Sequence, residues 1–98
     1  MQGALMISWA NPVRGREAQS LESFSKALGY FEGLAKEGRI HGHREYFCLI
    51  GNSSARSGFM IVDGELEELQ KIQLEDENLK LMAEASSIVE GFEVTMCA

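Results

Sequence analysis

The sequence is poor in the residues that mark well-known classes of small protein. It has two cysteines in 98 residues, too few for the disulfide framework of a small secreted domain. Cys48 and Cys97 both fall in strand-like runs and are expected as buried, reduced thiols. No apolar run approaches the roughly 20 residues of a membrane span. The run Ala4–Trp9 is too short for a signal peptide and has no positive charge before it. A cytoplasmic protein without membrane contact is therefore expected. Basic residues are scarce towards the end of the chain. Residues 64–98 hold two Lys/Arg against nine Asp/Glu, whereas residues 1–63 hold seven against six. This balance disfavours nucleic acid, whose phosphates need clustered cations, and anionic lipid surfaces.

Motifs are equally scarce. The stretch Gly51–Gly58 is rich in glycine and serine. It lacks the closing Gly-Lys-Ser/Thr of a phosphate loop and joins two strand-like runs rather than a strand and a helix. There is no Gly-x-Ser-x-Gly elbow, and neither cysteine has metal-ligand spacing around it. No cofactor, metal or catalytic constellation is expected from these patterns.

What the sequence does hold is amphipathic order. With 45% apolar and 24% charged residues, the composition is that of a globular domain, and 98 residues make one domain spanning 1–98. Between Arg16 and Glu37, residues Leu21, Phe24, Leu28, Phe31 and Leu34, with Ala27 and Ala35, recur at helical spacing. Glu22 with Lys26, and Glu32 with Lys36, are acidic-first pairs four apart, which support an exposed helical face. Gly38 suits the left-handed residue that ends a helix. Gly29 and Gly33 weaken the helix interior, and close approach of a neighbouring element is expected to account for them.

Before this helix lies a short apolar strand, Ala4–Trp9, ended by Asn11-Pro12. After it come strand candidates at 39–50 and 58–63, separated by a polar loop. A helix begins near Asp63-Gly64, with Leu66, Leu69 and Ile72 on its buried face. A break is expected over Leu74–Asn78, then a helical stripe through Leu79, Met82 and Ala83 that ends at Ala85, then a last strand at 88–97. The order strand, helix, strand, strand, helix, strand is the ferredoxin-like βαββαβ arrangement. It is an α+β fold with a four-stranded antiparallel sheet and its helices on one face. Along the first strand Leu5, Ile7 and Trp9 oppose Ala4 and Met6, and along the third Phe59 and Ile61 oppose Met60 and Val62. Both faces of the sheet are thus apolar. The helices cover one, and a second copy of the chain is expected on the other.

The Asn-Pro loop, the long helix ending in Glu37-Gly38-Arg39, the strand pair, the Glu65-Leu-Glu-Glu-Leu69 helix and the acidic Glu75-Asp-Glu-Asn78 turn resemble the dimeric α/β-barrel superfamily. The likeness extends to small bacterial proteins of that fold, over nearly the whole chain. It implies the fold and a homodimer joined through the sheet. The superfamily includes cofactor-free and haem-degrading monooxygenases, isomerases, dehydratases and ligand-sensing domains, so the likeness implies no catalytic residue.

Candidate ligand contacts follow from residue type and position. Arg14 and Arg16 precede the long helix, where two guanidinium groups could hold an anion or stand in a solvated loop. His41 and His43 share one side of a strand with Glu45. They read first as a solvated strand end, second as a proton carrier or ligand contact, and last as two nitrogens and a carboxylate for a zinc-like ion. Arg44 and Tyr46 occupy the opposite side. Trp9 is core or pocket wall. The expected function is that of a homodimeric small-ligand-binding or interaction module. The alternative is a cofactor-free enzyme, monooxygenase- or isomerase-like, acting on a small organic substrate, with His43 or Tyr46 carrying the proton.

Overall fold

A computed structural model describes all 98 residues. The elements are β1 (Gln2–Trp9), α1 (Glu17–Lys36), β2 (Gly42–Phe47), β3 (Gly58–Glu65), α2 (Leu66–Gln73), α3 (Asp76–Ile88) and β4 (Glu93–Cys97). The four strands form one sheet in the order β2-β3-β1-β4, antiparallel at every pairing. The α+β architecture read from the sequence is the one observed. The second helical region is two helices, parted at Leu74 and Glu75 where a break was expected.

Strand register fixes which residues share a face. Leu5 lies opposite Val62 and Met96, Ile7 opposite Met60 and Val94, and Trp9 opposite Gly58. These residues, with His43, Glu45 and Phe47 of β2, face the helices. Leu5, Ile7, Met60, Val62, Phe31, Leu34, Ile40, Leu69 and Ile72 make the buried core. The other face carries Ala4, Met6, Phe59, Ile61 and Tyr46, with Arg44, Asp63 and Thr95 beside them. No helix covers it. Tyr46 stacks on Phe59 at 5.1 Å between ring centroids, and Arg44 reaches Asp63 at 3.8 Å.

α1 stops where Gly38 takes φ +77°. The amides of Gly38 and Arg39 then return to the carbonyls of Ala35 and Leu34, which satisfies the helix end. Arg39 forks to Glu68 of α2 and Glu75 before α3, at 2.6–2.9 Å. This clasp joins all three helices.

Six local expectations are corrected. The strand expected at 39–50 is only Gly42–Phe47: residues 39 and 40 close the helix, and Leu49 and Ile50 project at 92% and 96% exposure. β3 runs on through Gly64 to Glu65, so α2 begins at Leu66. α3 continues past Ala85 to Ile88. The chain then spends Val89 and Glu90 on the Asn11-Pro12 loop before β4 starts at Glu93. Both cysteines are exposed, because Cys48 lies just beyond β2 and Cys97 sits on an edge strand of the open face. Finally, a Cβ added at Gly29 or Gly33 would meet nothing within 4 Å. No element presses on α1 there.

Candidate functional site

Helical periodicity predicts a continuous buried stripe along α1. Its second half behaves so, with Phe31 and Leu34 buried. Its first half stands off the sheet. Between that half, the end of α3 and the Trp9 end of the sheet lies a half-open cavity of about 240 Å³. Fourteen of its 18 lining residues are hydrophobic. Trp9, Phe24 and Phe47 form an aromatic cluster on its wall, at centroid separations of 5.3–6.3 Å. Trp9 meets both phenylalanines edge-on, a favourable geometry, and the two phenylalanines are tilted to each other. Ile7 and Met60 floor it, Phe92 and Met82 close it from the β4 and α3 side, and Leu21 stands at its mouth at 73% exposure.

Gly58 explains how Trp9 reaches its place. A Cβ at Gly58 would come within 2.8 Å of the indole and of the Tyr46 carbonyl oxygen. The missing side chain lets the ring lie across β3. The adjoining loop is held by backbone bonds from Ala10 to Glu90 and from Val13 to Ile88, at 2.8 and 2.7 Å.

No lining residue titrates near neutral pH, and none carries a charge. Polar atoms come only from Ser20, Ser23, Ser57, the Trp9 indole N–H and the backbone. The chamber can therefore accept an uncharged, largely apolar molecule, and its side chains offer no proton carrier.

The residues singled out in the sequence fall in separate places. Trp9 lines the cavity. Arg14 and Arg16 are exposed and lie outside its lining. Glu17 approaches the Gly15 amide at 3.4 Å, so a carboxylate already stands at the start of α1. His41 precedes β2, is exposed, and reaches Glu65 at 3.7 Å. Arg44 and Tyr46 lie on the open face.

His43 is not the solvated strand end that its position suggested. Its side chain is 11% exposed beneath α1, beside Phe31. Nδ1 contacts Glu45, and Nε2 meets Glu32 of α1 at 2.9 Å. Burial, the largest single influence, lowers its pKa, but the two carboxylates together outweigh it and the net shift is upward. His41 and His43 do not converge, and no group of three His, Cys, Asp or Glu side chains is placed to hold a metal ion. Elsewhere, burial with Glu75 and Glu77 nearby pushes the Tyr30 hydroxyl up to about 12.

Periodicity reads Phe24 as a packing residue and singles out neither Phe47 nor Ser23. All three line the cavity. Their only signal was the pairing of large aromatics on one side with Ser20, Ser23 and Ala27 on the other.

No protein-family model and no curated protein matches the chain. Solved structures do. A dimeric ferredoxin-like protein of unknown function from Jannaschia sp. CCS1 superposes with a TM-score of 0.76 at 10% identity, over 100% of this chain and 99% of that one. Another, from Thermobifida fusca YX, gives 0.69 at 11% identity, over 99% and 91%. A dimeric protein of unknown function and ferredoxin-like fold from Bacteroides fragilis NCTC 9343 gives 0.67 at 9%, over 97% and 93%. The fold is ferredoxin-like. In this ferredoxin-like chain the cavity lies between sheet and helices, and the sheet's other face is bare. No helix is long and apolar enough to cross a membrane.

Proposed function

We propose that this chain is a homodimeric ligand-binding module. It holds a small apolar molecule between its sheet and its helices and pairs with a second copy through the open face of the sheet. The observation that carries the reading is the cavity wall: aromatic and aliphatic, half-open, and without an ionisable side chain. Apolar cavities of this kind favour apolar occupants over water, which finds few partners there. The alternative of a cofactor-free enzyme would need a proton carrier at the wall. His43 stands outside the lining and Tyr46 points to the opposite face.

Pairing through the sheet is supported by Met6, Phe59, Ile61 and Tyr46, which are only partly covered within one chain. Clustered apolar residues on one open face mark an interaction surface. The similar solved structures are of dimeric proteins. A cytoplasmic setting fits two exposed free thiols, which a reducing compartment keeps unpaired.

Native mass spectrometry of freshly purified protein tests both halves. A dimer is expected, with retained small-molecule mass in part of the population. Ile61→Asp should yield folded monomer. Ala27→Leu, which fills the cavity, should keep the dimer and lose the bound mass. A monomeric wild type, or bound mass that survives Ala27→Leu, would contradict the corresponding half.

A further inference from the structure

Three hydroxyls border the cavity, from Ser20, Ser23 and Ser57. Two are committed. Ser20 donates to the Glu17 carbonyl at 2.7 Å. Ser57 donates to Asn11 Oδ1 at 3.2 Å, with the Ser53 carbonyl at 3.1 Å. Serines within helices commonly return their proton to a carbonyl one turn back, and Ser86 and Ser87 of α3 do so at 2.8 and 2.7 Å. Ser23 does not. It lies in α1, is 7% exposed, lines the cavity, and has no hydrogen-bond partner in the chain. Its oxygen is not sealed within the protein, unlike Tyr30 Oη, Gln73 Nε2 and Asn78 Oδ1. It opens on the chamber that Ser23 lines, where an occupant could pair with it, and the rest of the wall is mainly hydrocarbon.

The size of the chamber narrows what would pair with it. An apolar cavity of about 150 Å³ takes up benzene, and pockets for drug-sized ligands begin near 300 Å³. At about 240 Å³, the space suits two fused rings. The tilted faces of Trp9, Phe24 and Phe47 favour a flat molecule, and the lack of charge on the wall disfavours an ion.

Building on the cavity as the ligand site, we infer that Ser23 is its specificity-determining polar contact. The ligand is a flat, uncharged, two-ring hydrocarbon skeleton bearing one hydrogen-bonding oxygen. Ser23 selects it over the bare hydrocarbon, as a site built to bond an oxygen discriminates against an analogue that lacks one.

Isothermal titration calorimetry with 2-naphthol and 2-methylnaphthalene, which differ by hydroxyl against methyl, tests this on wild type and Ser23→Ala. Both probes should bind wild type, and Ala27→Leu should abolish both. On Ser23→Ala the affinity ratio of naphthol to methylnaphthalene should fall about three- to tenfold, the scale of one net hydrogen bond. Binding of 2-methylnaphthalene should hold or improve. An unchanged ratio overturns the role of Ser23 while leaving the cavity as a site, and would move the polar contact to another group such as the Trp9 indole. Failure of both probes to bind wild type would remove the cavity reading and this inference with it.

Discussion

The two ends of the helix-covered sheet face are built from similar residues and come out differently. At the end carrying Gly3, Leu5, Val62 and Gly64, two covering elements meet the sheet. α1 brings Phe31 and Leu34, and α2 lies close because the glycines leave room. A Cβ at Gly3 would stand 3.1 Å from Leu66 Cδ1, and one at Gly64 would stand 3.3 Å from Leu69 Cδ2. That end is solid. At the Trp9 end α2 is absent, and α1 presents Ser20, Ser23 and Ala27 towards large aromatics. That end is hollow. An apolar stripe becomes core or chamber according to how many layers cover it and how small the facing side chains are.

The contrast can be broken most forcefully by truncation at each end. Leu69→Ala removes a fully buried side chain and should cost about 2–5 kcal/mol in urea or thermal unfolding. Phe24→Ala borders space that is already empty and should cost about 1–2 kcal/mol, below the usual range for a buried aromatic. Equal costs would mean that the two ends are packed alike.

An intermediate effect is expected at His43, the polar plug beside the solid end. His43→Ala leaves the half-buried Glu45 carboxylate without its partner and should lower stability by about 1–3 kcal/mol. The sign of its pH dependence follows from the raised pKa. The stabilisation is complete below the unfolded-state value of about 6.5. It is lost as pH rises through the higher folded-state value. The stability gap between wild type and His43→Gln should therefore narrow across that window. A gap that widens with pH would contradict the ion-pair assignment.

The smallest effect belongs to α1 itself. Gly33→Ala meets open space and should raise stability by up to about 1 kcal/mol. A loss instead would reveal a neighbour at that surface, a second copy being the first to examine by native mass spectrometry.

The fold was largely legible because each element advertises its period. Residues 16–37 repeat every three or four, β1 and β3 are short near-continuous apolar runs, and Gly38 marks the turn between helix and sheet. The two-sided apolar character of β1 and β3 was visible for the same reason. The cavity was not. Periodicity reports which way a side chain points and says nothing about whether the space in front of it is filled, so Phe24 read as core. His43 was misread because one of its partners, Glu32, lies 11 residues away on a different element. The exposed cysteines were misread for two reasons: β2 ends before Cys48, and Cys97 lies in an edge strand on the face no helix covers.

The hollow end has one further consequence, in volume rather than energy. Unfolding lets water into whatever part of the chamber is dry, so the unfolded chain occupies less space than the folded one. Pressure should then unfold this protein more readily than a filled variant such as Ala27→Leu. A tight-fitting occupant of the chamber would confer the same resistance to compression.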